Sequence, residues 1–284
     1  MTKQLLSKIE GCYSSMSKGH KRITDYITEN YDKAAFMTAA KLGDAVGVSE
    51  STVVRFASEL GFSGYPQLQK TLQEVVKSRL TSVQRMEAAG GEDMLEHAFS
   101  SDIDTIKATR ESISREAFNA SVEAINRAKH IYVLGVRSAA SLASFAAFYL
   151  NFVYDSVTLI EPAGTGEAFD QAFRINKYDG CIAISFPRYS KQTINMLRFI
   201  SDRGATVISV TDSENSPIAQ FATHLLLARS SMVSFVDSLV APLSLINALI
   251  AAAASEKSGE VYSNLSSLEN IWDEYQIYQT HEDE

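Results

Sequence analysis

From Ile131 onward, short apolar runs alternate with longer helical stretches, and few folds tolerate that rhythm. The apolar runs are "IYVLG" at 131–135, "SVTLIE" at 156–161, "GCIAIS" at 180–185, "ATVISVT" at 205–211 and "HLLLA" at 224–228. Each is strand-length and lacks the polar alternation of a strand with one wet face, so each reads as buried on both faces. Helical patterns fill the intervals 138–151, 166–175 and 190–203, and a long one runs from Phe235 to Glu256. Strand and helix in alternation predict a five-stranded parallel α/β sandwich with helices on both faces. Ligands of such sheets lie beyond the carboxyl ends of the strands, beside helix N-termini.

Two strand ends change character abruptly. "GVRSAAS" follows the first strand: Gly135 permits a sharp turn, Arg137 adds a cation, and Ser138 opens the next helix. "CIAISFPRYSKQT" begins apolar at Cys181 and ends with Ser185, Arg188, Tyr189, Ser190, Lys191 and Thr193. A helix N-terminus offers unpaired N–H groups and partial positive charge. Hydroxyls and cations added there make an anion site, with Gly135, Arg137, Ser138, Ser185, Arg188, Ser190 and Lys191 as its candidates. Ser138 and Ser190 acting as plain N-caps is the alternative. A dinucleotide fingerprint is ruled out by Arg137, which stands where a second glycine is needed.

The head of the chain is built differently. Residues 18–76 carry helical periodicity, with Ile23, Tyr26 and Ile27 on one face. In "MTAAKLGDAVGVSESTVVRFASELGFSGY", Thr38 caps a helix to about Val46, Gly47 makes the corner, and Ser49 caps a second helix ending at Gly61. Leu42, Val46, Val48, Val53 and Phe56 form the apolar side, and Gly43 is the small residue at the crossing. That is the arrangement of a DNA-binding helix-turn-helix, whose second helix enters the major groove. The candidate contacts are Ser49, Ser51, Thr52, Arg55 and Ser58, with Lys41 for phosphate; His20, Lys21 and Arg22 are further phosphate candidates. A plain helical hairpin is the competing reading.

"LGDAVGVSESTVVRFASELGFSGYPQLQ" resembles the N-terminal domain of the RpiR-type (MurR/RpiR) transcriptional regulators. The resemblance implies that Phe62, Tyr65, Pro66 and Leu68 pack the recognition helix onto a last helix reaching about Leu80. "IYVLGVRS" and "AISFPRYSKQTINMLRFISDRGATVISVTDS" resemble the two ligand-binding motifs of the SIS (sugar isomerase) domain, which that family carries behind its head. By that resemblance Ser138, Ser185 and Ser190 hold a phosphosugar or related metabolite. Two positions depart from the pattern: Pro187-Arg188 replaces Ser-Gly, and Arg137 replaces a glycine. The two added arginines suit a phosphate or carboxylate and favour an anionic effector, such as a sugar acid.

Charge divides along the same line. Residues 1–80 hold 11 Lys and Arg against 8 Asp and Glu, a net of +3; the remainder nets −11, so only the head suits a polyanion. The expected divisions are a helix-turn-helix domain at 1–80, a helical connector at 81–127, an SIS effector domain at 128–258, and a C-terminal helix with an acidic tail at 259–284. Gly90 and Gly91 break the connector. Leu95, Phe99, Ile103 and Ile106 then form a stripe that either docks on the body or joins two subunits. In the last segment Leu265, Leu268, Trp272 and Tyr275 are expected to pack on the body.

The uncharged stretches 138–154 and 238–255 hold serines, asparagines and Pro242, and read as buried helices rather than membrane spans. The first residues lack the apolar core of a secretory signal. Two cysteines, Cys12 and Cys181, and five scattered histidines predict no disulfide, no metal and no cofactor, and the cytoplasm as location. The expected protein is a DNA-binding regulator, a homodimer or dimer of dimers on an inverted-repeat operator, modulated by a small anionic metabolite. The alternative is an SIS-type sugar-phosphate isomerase, for which Glu161, Glu167 and His224 are the candidate bases.

Overall fold

The computed structural model describes residues 12–77, 81–88, 93–161 and 165–278. The Gly90–Gly91 break, the centre of the "EPAGTGEAF" loop and the tail from 281 lie outside them. By contacts the chain divides into a head ending at Glu92, with Ser234–Val236 counted in it, and a body made of the rest.

The head is all helix: α1 (Lys18–Glu29), α2 (Tyr31–Ala34), α3 (Ala39–Val46), α4 (Glu50–Glu59), α5 (Tyr65–Lys77) and α6 (Ser82–Ala88). Hydroxyl caps start three of them. Ser17 accepts from the His20 N–H, Thr38 from Lys41 and Ser49 from Thr52. Each supplies an acceptor to an N–H that the helix leaves unpaired, worth about 1 kcal/mol. Ile23, Ile27, Leu42, Val53, Phe56 and Leu68 are fully buried and form the head core. The Tyr65 hydroxyl donates to the Met37 carbonyl at 2.7 Å, and burial pushes its pKa up to about 12. Pro66, expected inside, is exposed; the buried face of α5 runs through Tyr65, Leu68 and Leu72 instead.

Two helices lead into the body. Asp93 caps α7 (Met94–Ser112) and Ser114 caps α8 (Arg115–Arg127). Then β1 (Ile131–Gly135), α9 (Ala139–Leu150), β2 (Val157–Ile160), α10 (Thr165–Ala172), β3 (Gly180–Ile184), α11 (Lys191–Asp202), β4 (Thr206–Thr211) and β5 (His224–Leu227) alternate as expected. The strands pair in parallel in the order β2-β1-β3-β4-β5. Every residue of β1 and β3 is buried, which is why both read as unbroken apolar runs. Alternate side chains feed two cores. Ile131, Val133 and Ile182 pack with Leu142, Leu150, Leu245 and Leu249; Tyr132, Leu134 and Cys181 pack with Ala168, Met196 and Leu197.

One element differs from expectation. The long helix α12 (Val240–Glu256) begins at Val240, not Phe235. Before it, β6 (Ser231–Met232) and β7 (Asp237–Ser238) form a two-stranded antiparallel ladder. The Ser238 hydroxyl donates to Asp102 on α7, and the Arg229 N–H, just before the hairpin, donates to the Thr109 hydroxyl at 2.8 Å, so this segment holds α7 to the rest of the body. The last helix, α13 (Ser258–Glu274), sets Trp272 edge-on to Phe152 at 6.3 Å between centroids. Leu268 and Trp272 are half-buried, but Leu265 and Tyr275 remain exposed. No helix among the described residues is long and apolar enough to cross a membrane.

Candidate functional site

Each unit carries one candidate site. In the head, α3 and α4 meet at a corner built by two glycines. Gly47 has φ +68°, the left-handed region that β-carbon-bearing residues avoid. Its carbonyl accepts from the Arg22 guanidinium at 3.2 Å, and a Cβ there would meet that group at 2.6 Å. Gly43 lies where the helices cross; a Cβ would stand 2.7 Å from the Val48 carbonyl oxygen. Gly43 is therefore required by close approach to backbone, and Gly47 by its left-handed conformation, since the Arg22 side chain can move aside.

On α4, Val53, Phe56 and Ala57 are buried, and the opposite face carries Ser51, Val54, Arg55 and Ser58, all exposed. The Ser49 hydroxyl lies 2.9 Å from that of Ser51 and 2.8 Å from that of Thr52, a compact polar knot at the helix start. Arg55 Nε donates to the Ser51 carbonyl at 3.3 Å, and the Ser58 hydroxyl to the Val54 carbonyl at 3.3 Å. Lys41 is exposed on α3. His20 has a structural place: its ring pairs with Glu59 and sits edge-on to Phe56 at 5.6 Å.

In the body, the chain runs from β1 outward to β2, then returns to place β3 on the other side of β1. The sheet's switch point therefore falls between β1 and β3, where open α/β sheets leave a crevice. Gly135 and Ile184, the last residues of the two strands, are register partners. The loop after Gly135 carries Arg137 and Ser138, and the loop after Ile184 carries Ser185, Arg188, Ser190 and Lys191. All seven expected residues thus lie between the ends of two neighbouring strands and the first residues of the helices that follow.

Their local geometry is distinct. A Cβ at Gly135 would meet the Ala139 carbonyl oxygen at 2.6 Å and the Ala143 Cβ at 2.8 Å, so α9 begins hard against its strand. Arg137 has φ +58°, a left-handed conformation in a residue other than glycine, and is exposed. Ser138 precedes α9 but makes no side-chain cap, and its hydroxyl side is exposed. Ser190 does cap α11, accepting from the Gln192 N–H at 3.2 Å. Ser185 is buried, Ser190 half-buried, and Arg188 and Lys191 are exposed.

Four residues at this site were given no role in the sequence. The Tyr189 hydroxyl donates to Asp212 Oδ1 at 2.7 Å, and the Thr211 hydroxyl to the same oxygen at 3.3 Å. Asp212 follows β4, so a third strand end closes on the second loop. Its only sequence signal is its place after an apolar run. Thr193, in the first turn of α11, is fully buried, and its hydroxyl finds no hydrogen-bond partner among the described residues. The isomerase candidates are scattered. His224 starts β5, at the amino end of the sheet, whereas Glu161 follows β2 and is exposed. Among the described residues no cluster of three His, Cys, Asp or Glu could hold a metal.

Together these features define a helix-turn-helix head followed by a phosphosugar-isomerase-like α/β body. Comparison with known proteins agrees. Residues 3–79 match the helix-turn-helix domain of the rpiR family, and residues 124–252 match the SIS domain. The regulator HexR of Pseudomonas aeruginosa is 25% identical over 233 residues, covering 78% of this chain and 77% of the relative. The SIS domain of an RpiR transcription factor from Sphaerobacter thermophilus superposes with TM-score 0.58 at 29% identity, over 61% of this chain and 96% of that one. NanR of Vibrio vulnificus, solved with ManNAc-6P, has the same fold over 95% of this chain and 98% of its own, with TM-score 0.59 at 22% identity. The chain belongs to the RpiR-type family of DNA-binding transcriptional regulators that carry an SIS domain.

Proposed function

We propose that this regulator binds a small anionic metabolite in the crevice between β1 and β3, and that occupancy changes its affinity for DNA. The observation that carries the reading is the switch point. Two hydroxyl- and cation-bearing loops leave register-paired strand ends there. Ser138, Ser185 and Ser190 supply hydroxyls, Gly135 the close turn, and Arg137, Arg188 and Lys191 positive charge. NanR, with the same fold, binds a phosphosugar, which supports an effector of that kind. Arg137 and Pro187-Arg188 extend it toward a phosphosugar or sugar acid, because guanidinium groups pair with planar anions through two bonds.

In the head, Ser49, Ser51, Thr52, Arg55 and Ser58 meet a major groove, with Lys41 on the backbone. The body forms the homodimer, and the operator is an inverted repeat that mirrors its two-fold symmetry. The effector shifts DNA affinity by its differential affinity for two arrangements of the dimer. No catalytic role is assigned: of the candidate bases, His224 lies at the end of the sheet opposite the crevice. The protein works in the cytoplasm, where its DNA is.

The test is a gel shift of the full chain on its own promoter, titrated with phosphosugars and sugar acids. An anionic metabolite should change DNA affinity. The triple variant Ser138→Ala, Ser185→Ala, Ser190→Ala should bind DNA normally and ignore it. An intact response in that variant, or stabilisation by neutral sugars alone in a thermal-shift screen, would refute the site.

A further inference from the structure

Between its two terminal carboxylates, Glu50 and Glu59, the outward face of α4 contains one apolar side chain. Val54 is 39% exposed, and helical spacing sets it among Ser51, Arg55 and Ser58. Exposed valines elsewhere on a protein need no account. This one occupies the strip proposed to face DNA, where its outward neighbours Ser51, Arg55 and Ser58 are hydroxyls and a cation and the carboxylates Glu50 and Glu59 stand at the helix ends. Its polar neighbours are also turned back on the helix: the Ser58 hydroxyl bonds the Val54 carbonyl, and Arg55 Nε bonds the Ser51 carbonyl. Those bonds keep the neighbours close to the helix surface and leave the isopropyl group standing proud. Such a group makes no bond to a phosphate. In a major groove it has one favourable partner, the C5-methyl of thymine, whose burial against it removes two apolar surfaces from water.

We propose that Val54 reads a thymine methyl group, in a base pair next to the one contacted by Arg55. The inference rests on α4 being the helix that enters the groove. Arg55 and Val54 are successive residues whose side chains flank the centre of the same face, so the two contacts fall on neighbouring base pairs. Arginine pairs best with guanine, so each half-site should carry a guanine with a thymine beside it.

The experiment removes a single methyl group. Duplexes bound by the full chain are selected from a randomised pool, and each thymine of the selected site is replaced in turn by deoxyuracil, which lacks only that methyl. One thymine per half-site should be sensitive, with binding weakened about fourfold on the scale of one buried methylene. Val54→Ala should bind thymine and uracil duplexes alike, whereas Val54→Ile should keep the sensitivity. The proposal fails if no thymine is sensitive, or if Val54→Ala is as sensitive as the parent. Arg55→Ala, run alongside, separates two kinds of failure. If it loses binding while every thymine stays silent, α4 still reads DNA and only the role of Val54 is wrong. If it binds as the parent does, α4 is not the reading helix and both ideas fall.

Discussion

At the scale of single residues, Arg137 is the position where local conformation and charge conflict most openly. A left-handed backbone costs a residue with a Cβ about 1–2 kcal/mol, and glycine escapes that cost. Glycine in turn loses about 0.5–1 kcal/mol through its larger unfolded freedom. Arg137→Gly should therefore leave the body as stable as before, or more stable by up to about 1.5 kcal/mol, measured by urea unfolding. The turn itself is secured by backbone bonds that do not need the side chain, from Ala139 N–H to the Val136 carbonyl at 3.2 Å and from Ala140 N–H to the Arg137 carbonyl at 3.1 Å. The same variant should lose about tenfold in sensitivity to an anionic effector, the value of one charge-assisted hydrogen bond. A loss of stability with unchanged sensitivity would show that the arginine serves the fold instead. The identity of such residues was legible in the sequence, because a cation at the end of a buried strand stands out. Asp212 was not, since a lone aspartate after a strand looks like any turn residue until Tyr189 is seen to reach it. Ser138 shows the opposite limit: its position invites an N-cap, and only the geometry shows that no cap is made.

Whole elements were more legible than their margins. The five strands of the sheet announce themselves because burial on both faces removes polar residues from them. The β6–β7 ladder has two residues on each side, too few for any period to register, and its apolar flank at Phe235 and Val236 imitated the start of α12. Polar clamps between elements were equally silent. His130, one residue before β1, holds that strand to β2: its Nε2 lies 2.8 Å from the Thr158 hydroxyl and its Nδ1 2.6 Å from the Ser156 hydroxyl. The ring stacks on Tyr132 at 4.3 Å. Burial lowers its pKa from the ordinary value near 6.5, and the Asp179 carboxylate opposes that only in part. The folded state thus binds this proton less readily than the unfolded chain does. The clamp's contribution is complete above the unfolded value and is lost as pH falls through it toward the folded one. Unfolding midpoints in urea should fall from pH 7.5 to pH 5.5, and His130→Gln should show a smaller fall. An equal fall in both would assign the effect to other groups.

For the molecule as a whole, the body exposes a group of large apolar side chains of the kind that marks an interaction surface. On α9, Phe148 is 59% exposed and Tyr149 42%; on α13, Tyr262 is 76% exposed and Ile271 49%. The rings are not scattered singly. Phe148 meets Tyr149 and Phe152 edge-on at 5.1 and 5.0 Å, and Phe152 meets Trp272, so an aromatic chain runs from one helix to the other. Stable interfaces bury about 800 Å² on each partner around such aromatic anchors. A second copy is the occupant that would also match the inverted-repeat operator proposed above. Phe148→Asp places a charge at the centre of that surface without touching the interior. In sedimentation velocity the variant should run as a smaller species, with the melting temperature of each protomer little changed. Its affinity for a two-half-site duplex should fall by roughly a hundredfold or more, because the second head no longer binds as part of the same molecule. Affinity for an isolated half-site should not change. A variant that keeps the parent's sedimentation coefficient would move the dimer to another surface, and the exposed stripe of Leu95, Phe99 and Ile103 on α7 is where the next substitution belongs.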